Sequence, residues 1–371
     1  MDCDGLSVVA DKRLRLVLVG PLPPPEGGMA NQCRQLASLL ATSAIDVEVV
    51  CTNAEYRPAW LGGVRWVRAP VRLIPYLFSL WRAVGRAEVV HLFANSGWSW
   101  HLVATPAIVV CRLRGRPLIV NYRGGGAAEF LARAPRWVRW SLAAAESCVV
   151  PSGFLRDVFA RFAIGSRIIP NIVDLQRFYP ARERPFSSPR HIVVTRNLEP
   201  IYDVGTAVRA LSNLRAHLPD VQMTIAGTGP ELRRLQELTE RLKLTEVVRF
   251  AGRMHNSAVA ELYRSAHAML NPSRVDNMPI SVLEAFASGV PVVSTNVGGV
   301  PFIAQHERNA LLFPPGDASA CAEALRRVLT DRELAERLTK AALVDVADYS
   351  WERVRELWLA EYQRMQALRT L

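Results

Sequence analysis

Lysine is almost missing from this chain. It occurs at positions 12, 243 and 340 only, so nearly all of the 45 basic residues are arginine. Guanidinium suits planar, two-point recognition of phosphate and carboxylate better than the point charge of an ammonium does. Cysteine is also sparse: Cys3, Cys33, Cys51, Cys111, Cys148 and Cys321 are dispersed, with no Cys-x-x-Cys pair. Such spacing excludes a zinc ribbon or a redox dithiol. Thiols lying mostly in apolar segments point to a reduced, cytoplasmic setting, and no metal site is expected. Long apolar runs are absent as well. The best, residues 101–111, ends at Arg112 and falls well short of the roughly 20 residues that span a bilayer. Asp2 and Asp4 stand where a signal peptide carries basic residues, so no signal peptide is read. No helix-turn-helix, zinc-finger or RNA-binding pattern accompanies the positive charge, which removes nucleic acid as the expected partner.

What is present is a chain of 371 residues, half of them apolar, enough for two cores. The charge is uneven, +9 over residues 1–180 and +2 over 181–371. A basic first half suits an anionic membrane surface or a lipid diphosphate; a solvated Arg-rich surface is the plain alternative. Short apolar strands at 14–19, 47–51, 64–69, 89–93, 117–121, 147–150 and 167–169 alternate with helices at 30–41, 77–85, 101–114 and 136–145. A second series places strands at 191–195, 222–226, 247–251, 268–271, 291–294 and 310–313. Its helices are expected at 204–218, 230–242, 257–265, 281–287 and 318–329, with a last one at 351–371. This alternation predicts an α/β fold with parallel sheets covered on both faces. Residues 181–190, polar with Pro185 and Pro189, read as the linker.

Residues 271–299 carry the densest signal: strand end, polar loop, helix, Gly-Pro turn, buried strand, Gly-Gly turn. Asp276 ends the loop, and Glu284 follows eight residues later inside the helix. A helix starting near Met278 turns the free amides of Ile280, Ser281 and Val282 toward the loop. Unpaired amides at the positive end of a helix dipole attract phosphate, whereas flanking carboxylates hold hydroxyls. Phosphate between two polyols describes a sugar nucleotide.

The segment resembles the signature of glycosyltransferase family 4 (glycosyl transferases group 1). In that pattern an acidic residue, seven residues and Glu are followed by Ala-x-Ala-x-Gly-x-Pro-Val and a Gly-Gly turn. Asp276 stands where the family usually has Glu, while Glu284, Ala285, Gly289, Pro291 and Val292 match directly. Pro170 to Asp174 with Phe178 and Pro180, Ile225 to Pro230, Phe250 to Gly252, Asn271 to Ser273, and Gly20-Pro21 through Gly27-Gly28 fall in the family's order. The resemblance thus covers most of residues 14–355. It implies the GT-B fold: two facing Rossmann-like doubly wound domains with a deep inter-domain cleft. Residues 1–180 would bind the acceptor, 181–349 the nucleotide sugar, and a helix at 350–371 would cross back onto the first domain. The implied reaction is retaining and metal-independent, moving a sugar from a nucleoside diphosphate (a UDP- or GDP-sugar) to an acceptor hydroxyl in polysaccharide or glycolipid assembly. The nucleotide sugar is a co-substrate, no cofactor is implied, and the acceptor is a saccharide or lipid-linked.

The resemblance assigns Arg196 to the diphosphate, where a guanidinium stabilises the departing nucleoside diphosphate. A strand-capping surface Arg is the structural alternative. The family's usual Lys five residues later is Ile201 here, so Arg274 or backbone amides must compensate. Asp276 is assigned to the donor sugar's hydroxyls, against a role as a turn or N-cap residue, and Glu284 to the ribose. Pro279 replaces a usual Gly and has no N–H, which leaves Ile280 and Ser281 as phosphate-facing donors. Gly27 and Gly28 are expected at the acceptor or a phosphate, Gly227 mainly in a tight turn with some nucleotide contact, and Arg253 and Met254 near the base. Arg123 occupies the region of a family His; it cannot act as a general base but can bind a phosphate or a carboxylated acceptor. Asn121 beside it and His91 at a strand end are further substrate-binding candidates, with a satisfied core His equally open. Residues 73–85 and 130–140 mix Trp81, Trp137 and Trp140 with arginines, as an interfacial membrane helix does and as a core-packing helix also does. Rival readings are a sugar-nucleotide epimerase on the same fold and a non-catalytic glycosyltransferase-like subunit, motivated by Ile201 and Arg123.

Overall fold

A computed structural model describes residues 13–24, 27–43, 45–54, 68–182 and 189–370. The first series of elements is β1 (Leu14–Gly20), α1 (Gly28–Ala41), β2 (Ile45–Cys51), α2 (Arg68–Arg86), β3 (Val89–Ala94), α3 (Thr105–Leu113), β4 (Leu118–Tyr122), α4 (Ala127–Arg133), α5 (Arg136–Ala143), β5 (Ser147–Val150), α6 (Gly153–Ala160) and β6 (Arg167–Ile168). A π-helical turn, Trp100–Ala104, leads into α3. The second series is β7 (His191–Thr195), α7 (Val204–Arg215), β8 (Gln222–Ala226), α8 (Leu232–Arg241), β9 (Val248–Gly252), α9 (Asn256–Ser265), β10 (Ala268–Asn271), α10 (Ile280–Ala287), β11 (Val292–Thr295), β12 (Leu311–Phe313), α11 (Ala318–Thr330), α12 (Arg332–Val346) and α13 (Trp351–Thr370).

The strands form two six-stranded parallel sheets, ordered β2-β1-β3-β4-β5-β6 and β12-β11-β10-β7-β8-β9. Their inner strands are mostly apolar and buried, because helices cover both faces, with His91 and Asn121 as buried polar exceptions in the first sheet. Each order reverses once, between β1 and β3 in the first sheet and between β7 and β10 in the second. At such a point the crossover helices depart to opposite faces and leave a crevice beyond the carboxyl ends of the strands. Thr195-Arg196 and Asn271 lie at the second reversal.

The terminal helix belongs to the first core. Val354, Trp358, Tyr362 and Met365 pack on the face formed by Leu16, Leu18, Val89, Phe93 and Ile119. Its apolar positions recur every three or four residues, one stripe of a helix, and the stripe lands on the sheet farthest from it in sequence.

One expectation is revised, one falls mostly outside the described residues, and one helix was not anticipated. Of the strand expected at 64–69, residues 64–67 lie outside the described residues, and Arg68 and Ala69 open α2. Of the linker at 181–190, residues 183–188, Pro185 among them, lie outside the described residues too. Helix α12 was not anticipated, although Asp331 caps it by accepting the Leu334 amide at 2.9 Å. Its signal merges with α11, which ends one residue earlier. Ser152 caps α6, accepting the Leu155 amide at 3.4 Å.

Trp358 is fully buried between α13 and the first sheet. Trp358→Ala should cost about 3–5 kcal/mol, the usual penalty for emptying a core aromatic site. Circular dichroism during urea unfolding is the measurement, and an unchanged first-domain transition would contradict this packing.

Candidate active site

Arg196 extends from the end of β7 into the crevice. Its Nε donates to Asn271 Oδ1 at the end of β10, 2.9 Å away, and its Nη2 pairs with the Asp276 carboxylate. The guanidinium also lies over the Tyr202 ring, 5.1 Å from its centre. Asn271 is held in turn: its Oδ1 accepts from Ser273 Oγ at 2.7 Å and its Nδ2 donates to Ser294 Oγ at 3.0 Å. The Arg196 and Asp276 side chains are only 11% and 10% exposed. Burial raises the Asp276 carboxyl above its ordinary value, while Arg196 and the Asn277 amide pull it back. The ion pair therefore compensates part of a desolvation cost that either charge alone would meet in full.

Two glycines let the backbone close on this pair. Gly227 adopts φ +155, and a Cβ there would run into the Arg196 carbonyl. Gly298 adopts φ +51, and a Cβ there would strike the Asp276 carbonyl, which accepts from the Gly299 amide at 2.9 Å. Gly227 thus has a steric role in seating Arg196, beside its place in the strand-to-helix turn.

Helix α10 begins at Ile280, one residue before the helix read at 281–287 and two after the start placed near Met278, because Pro279 stays extended as its N-cap. The Val282 amide bonds to the Pro279 carbonyl at 3.1 Å. Of the three amides expected to face a phosphate, this removes Val282 and leaves Ile280 and Ser281, as the loss of a donor at Pro279 requires. The Ser281 hydroxyl is buried without a hydrogen-bond partner among the described residues. Glu284, one turn on, is partly buried and has no hydrogen-bond donor on its carboxylate among the described residues; burial pushes it up to about 8, against the pull of Arg196 and Arg177.

The other candidates divide into two groups. Gly27 and Gly28 open α1 with empty space above both alpha carbons. Arg253 is exposed beyond β9, and Met254 is half-buried against the second core. Arg274, expected to replace the missing Lys, binds Asp203 Oδ2 through its Nε at 2.9 Å and is mostly exposed.

His91, Asn121 and Arg123 form a different assembly. His91 is fully buried, stacked on Phe93 at 4.8 Å and beside Trp358 at 4.5 Å. Its Nδ1 meets Tyr362 Oη at 2.9 Å, and its Nε2 meets Asn121 Nδ2 at 2.9 Å. The Asn121 Oδ1 accepts from Arg123 Nε at 3.1 Å, so its amide must donate to His91 Nε2 and the proton of His91 sits on Nδ1. Arg123 continues to Asn171 Oδ1, and Asn171 Nδ2 donates to the Met278 carbonyl at 3.0 Å. The sequence left His91 open between substrate contact and satisfied core residue. The structure gives both its nitrogens protein partners, and burial with the nearby Arg123 cation drives its pKa well down. Asn121 is likewise sealed. Arg123 is held at about 10 by burial, still a cation at neutral pH, with its guanidinium on Asn121, Asn171 and the Phe93 ring.

That chain crosses between the two sheets, and a second contact runs beside it, Ser152 Oγ to Asn277 Oδ1 at 2.6 Å. The asparagines at 171, 271 and 277 were missed as site residues. All three stand in segments read as matching the family, but an amide at a strand end or turn gave no reason to assign any of them a role. Among the described residues no three His, Cys, Asp or Glu side chains gather as a metal-binding set.

Two family models match in tandem: Glycosyltransferase Family 4 over residues 26–177 and Glycosyl transferases group 1 over 176–344. This chain belongs to the group 1 glycosyltransferases. A glycogen synthase of Mycobacterium tuberculosis is 27% identical to it over 92% of both chains. Among solved structures, sucrose-phosphate synthase from Thermosynechococcus elongatus superposes with TM-score 0.77 at 21% identity, covering 96% of this chain and 100% of that one. Anabaena HepE, solved with UDP and glucose, superposes with TM-score 0.74 at 15% identity over 95% and 100%. The fold is GT-B, with the expected helix at the carboxyl terminus, and the protein is a glycosyltransferase.

The raised pKa of Glu284 has a defined sign. Between 4.5 and about 8 the folded protein binds a proton that the unfolded chain has released, so this group's contribution to stability falls as pH rises through that window. Glu284→Gln should therefore gain melting temperature relative to the parent at pH 8 and match it near 4.5. Calorimetry across the window, with parallel curves, would refute the assignment.

Proposed function

We propose that this glycosyltransferase binds a nucleoside-diphosphate sugar, a UDP- or GDP-sugar, across the crevice of the second sheet. It moves the sugar, with retention and without a metal, to a hydroxyl of a saccharide or lipid-linked acceptor. The observation that carries this reading is the buried pairing of Arg196 with Asp276, four residues before a helix whose start holds the Ile280 and Ser281 amides and whose second turn holds Glu284. Two anion-seeking elements and two hydroxyl-seeking carboxyl groups suit a diphosphate, a sugar and a ribose.

Without a ligand, Arg196 and Asp276 satisfy each other. An arriving donor exchanges that pairing: its phosphates take the guanidinium and its sugar hydroxyls take the carboxylate. Charge that develops on the leaving diphosphate then meets a guanidinium already fixed by Asn271, together with helix amides, so little reorganisation accompanies bond cleavage. The acceptor approaches from the first sheet, above Gly27 and Gly28, where a sugar or phosphate meets no Cβ. In a same-face mechanism a donor phosphate oxygen receives the acceptor proton. No enzymatic base is needed for this, and His91, neutral and enclosed, does not supply one. Closing the cleft over both substrates keeps water from the anomeric carbon.

The test is a thermal-shift screen with UDP, GDP, ADP and their glucose conjugates in the presence of a chelator. One nucleoside diphosphate should raise the melting temperature, and its sugar conjugate should raise it further. Arg196→Ala should abolish the shift and slow transfer by about 10²–10³-fold, the usual cost of losing one preorganised charge-stabilising donor. Proton NMR of the product decides the stereochemistry: an α-linked product from an α-donor supports retention, and a β-linked one overturns it. Absence of any shift from a folded sample would sink the donor assignment.

A further inference from the structure

Helices α2, α3 and α5 lie side by side on the outside of the first sheet. Tyr76 Oη donates to the Val103 carbonyl at 2.9 Å and Trp100 Nε1 to Ser141 Oγ at 3.2 Å, which fixes their relative placement. Their outer face is apolar where water would favour polar groups. Ile74, Phe78 and Trp81 on α2, Leu102 on the π-helical turn, Val109 and Leu113 on α3, and Trp137 and Trp140 on α5 are all exposed, Phe78 and Leu113 by 68% and 71%. The spacing of each set is three, four or seven residues, a single stripe per helix. Large apolar patches rimmed by polar groups mark interaction surfaces.

The rim is rich in arginine. Residues 68–146 hold eleven arginines, one of them the enclosed Arg123, against three acidic residues, Glu88, Glu129 and Glu146. Glu88 is buried, which leaves Glu129 on α4 and Glu146 just past α5, the latter accepting the Leu118 amide at 2.7 Å; Glu48 on β2 pairs with Arg86 at the edge, 2.7 Å. Arginines interleave with the tryptophans across the helices: Arg114 stacks 3.9 Å above Trp81, and Arg112 lies 5.5 Å from the centre of Trp140. Trp98, 78% exposed, lies just past β3 with its ring 6.0 Å from that of His101, and Asn95 and Ser96 before it lie against Gly124 in the loop after β4.

We infer that this face docks on an anionic lipid bilayer, with the aromatic stripe at headgroup depth, the arginines on lipid phosphates and the cleft mouth at the membrane surface. Tryptophan favours the bilayer interface, where its ring is apolar and its N–H stays hydrated, and a helix face of aromatic and basic residues binds there by area and charge together. A second copy fits less well, since two such faces would oppose arginine to arginine. The inference stands apart from the donor site: vesicle binding needs no nucleotide.

The full chain should float with vesicles of phosphatidylcholine containing phosphatidylglycerol and stay behind with phosphatidylcholine alone. Arg112→Glu with Arg114→Glu, and separately Leu113→Ser with Trp140→Ser, should each weaken flotation about tenfold or more. Arg112, Leu113 and Trp140 are exposed and Arg114 is half-buried over Trp81, so any donor-induced shift should not move, and the Leu113→Ser with Trp140→Ser variant should keep the parent's melting temperature. Vesicle binding that ignores lipid charge overturns the inference, as does equal binding by both variants. So does a dimer in solution that either variant dissolves while the parent leaves vesicles unbound, because the covering surface would then be another copy.

Discussion

The second domain is arranged around one buried ion pair. Arg196 and Asp276 come from opposite sides of the strand-order reversal, and each is nearly enclosed. Charges so placed are costly to desolvate, and an apolar pair would fill the same space with more stability. The surrounding structure keeps them anyway. Asn271 orients the guanidinium, the Asn277 amide braces the carboxylate, and glycines at 227 and 298 remove the carbons that would hold the two loops apart. Under the proposed function the site receives both phosphate and hydroxyl, which calls for both charges, and each offsets part of the other's desolvation cost.

From that pair, order spreads to the other domain through neutral and singly charged hydrogen-bonding groups. Met278, two residues past Asp276, accepts from Asn171, and the line runs through Arg123, Asn121 and His91 to Tyr362 on the last helix. Every member has a partner on each side. Breaking one leaves a buried polar group unsatisfied, which costs about 1–3 kcal/mol. The terminal helix is therefore coupled both to the first core by Trp358 and to the loop that carries Asp276 and Met278 by this chain.

Legibility in the sequence differed by residue. The strand and helix alternation was plain because strands buried on both faces are mostly apolar and the intervening helices carry a 3.6-residue stripe. Glu284, Arg196 and Asp276 were legible from a matched motif. His91 was not: a histidine at a strand end looks alike whether it meets substrate or an unseen tyrosine 271 positions away. The asparagines at 171, 271 and 277 escaped for the same reason, since an amide announces nothing until its partner is known. The start of α10 placed near Met278 was two residues early because Pro279 served as its cap rather than its first turn.

The sequence alone determined the fold class, the family resemblance and the line of charged groups that suits a sugar nucleotide, all set by local pattern and spacing. Tertiary structure decided what those groups touch when no ligand is present. It placed His91, Asn121 and Arg123 in a structural chain, and it brought the exposed stripes of α2, α3 and α5 onto one surface. Periodicity shows that a helix has an apolar face, but only packing determines whether that face is covered, because the covering element can come from anywhere in the chain.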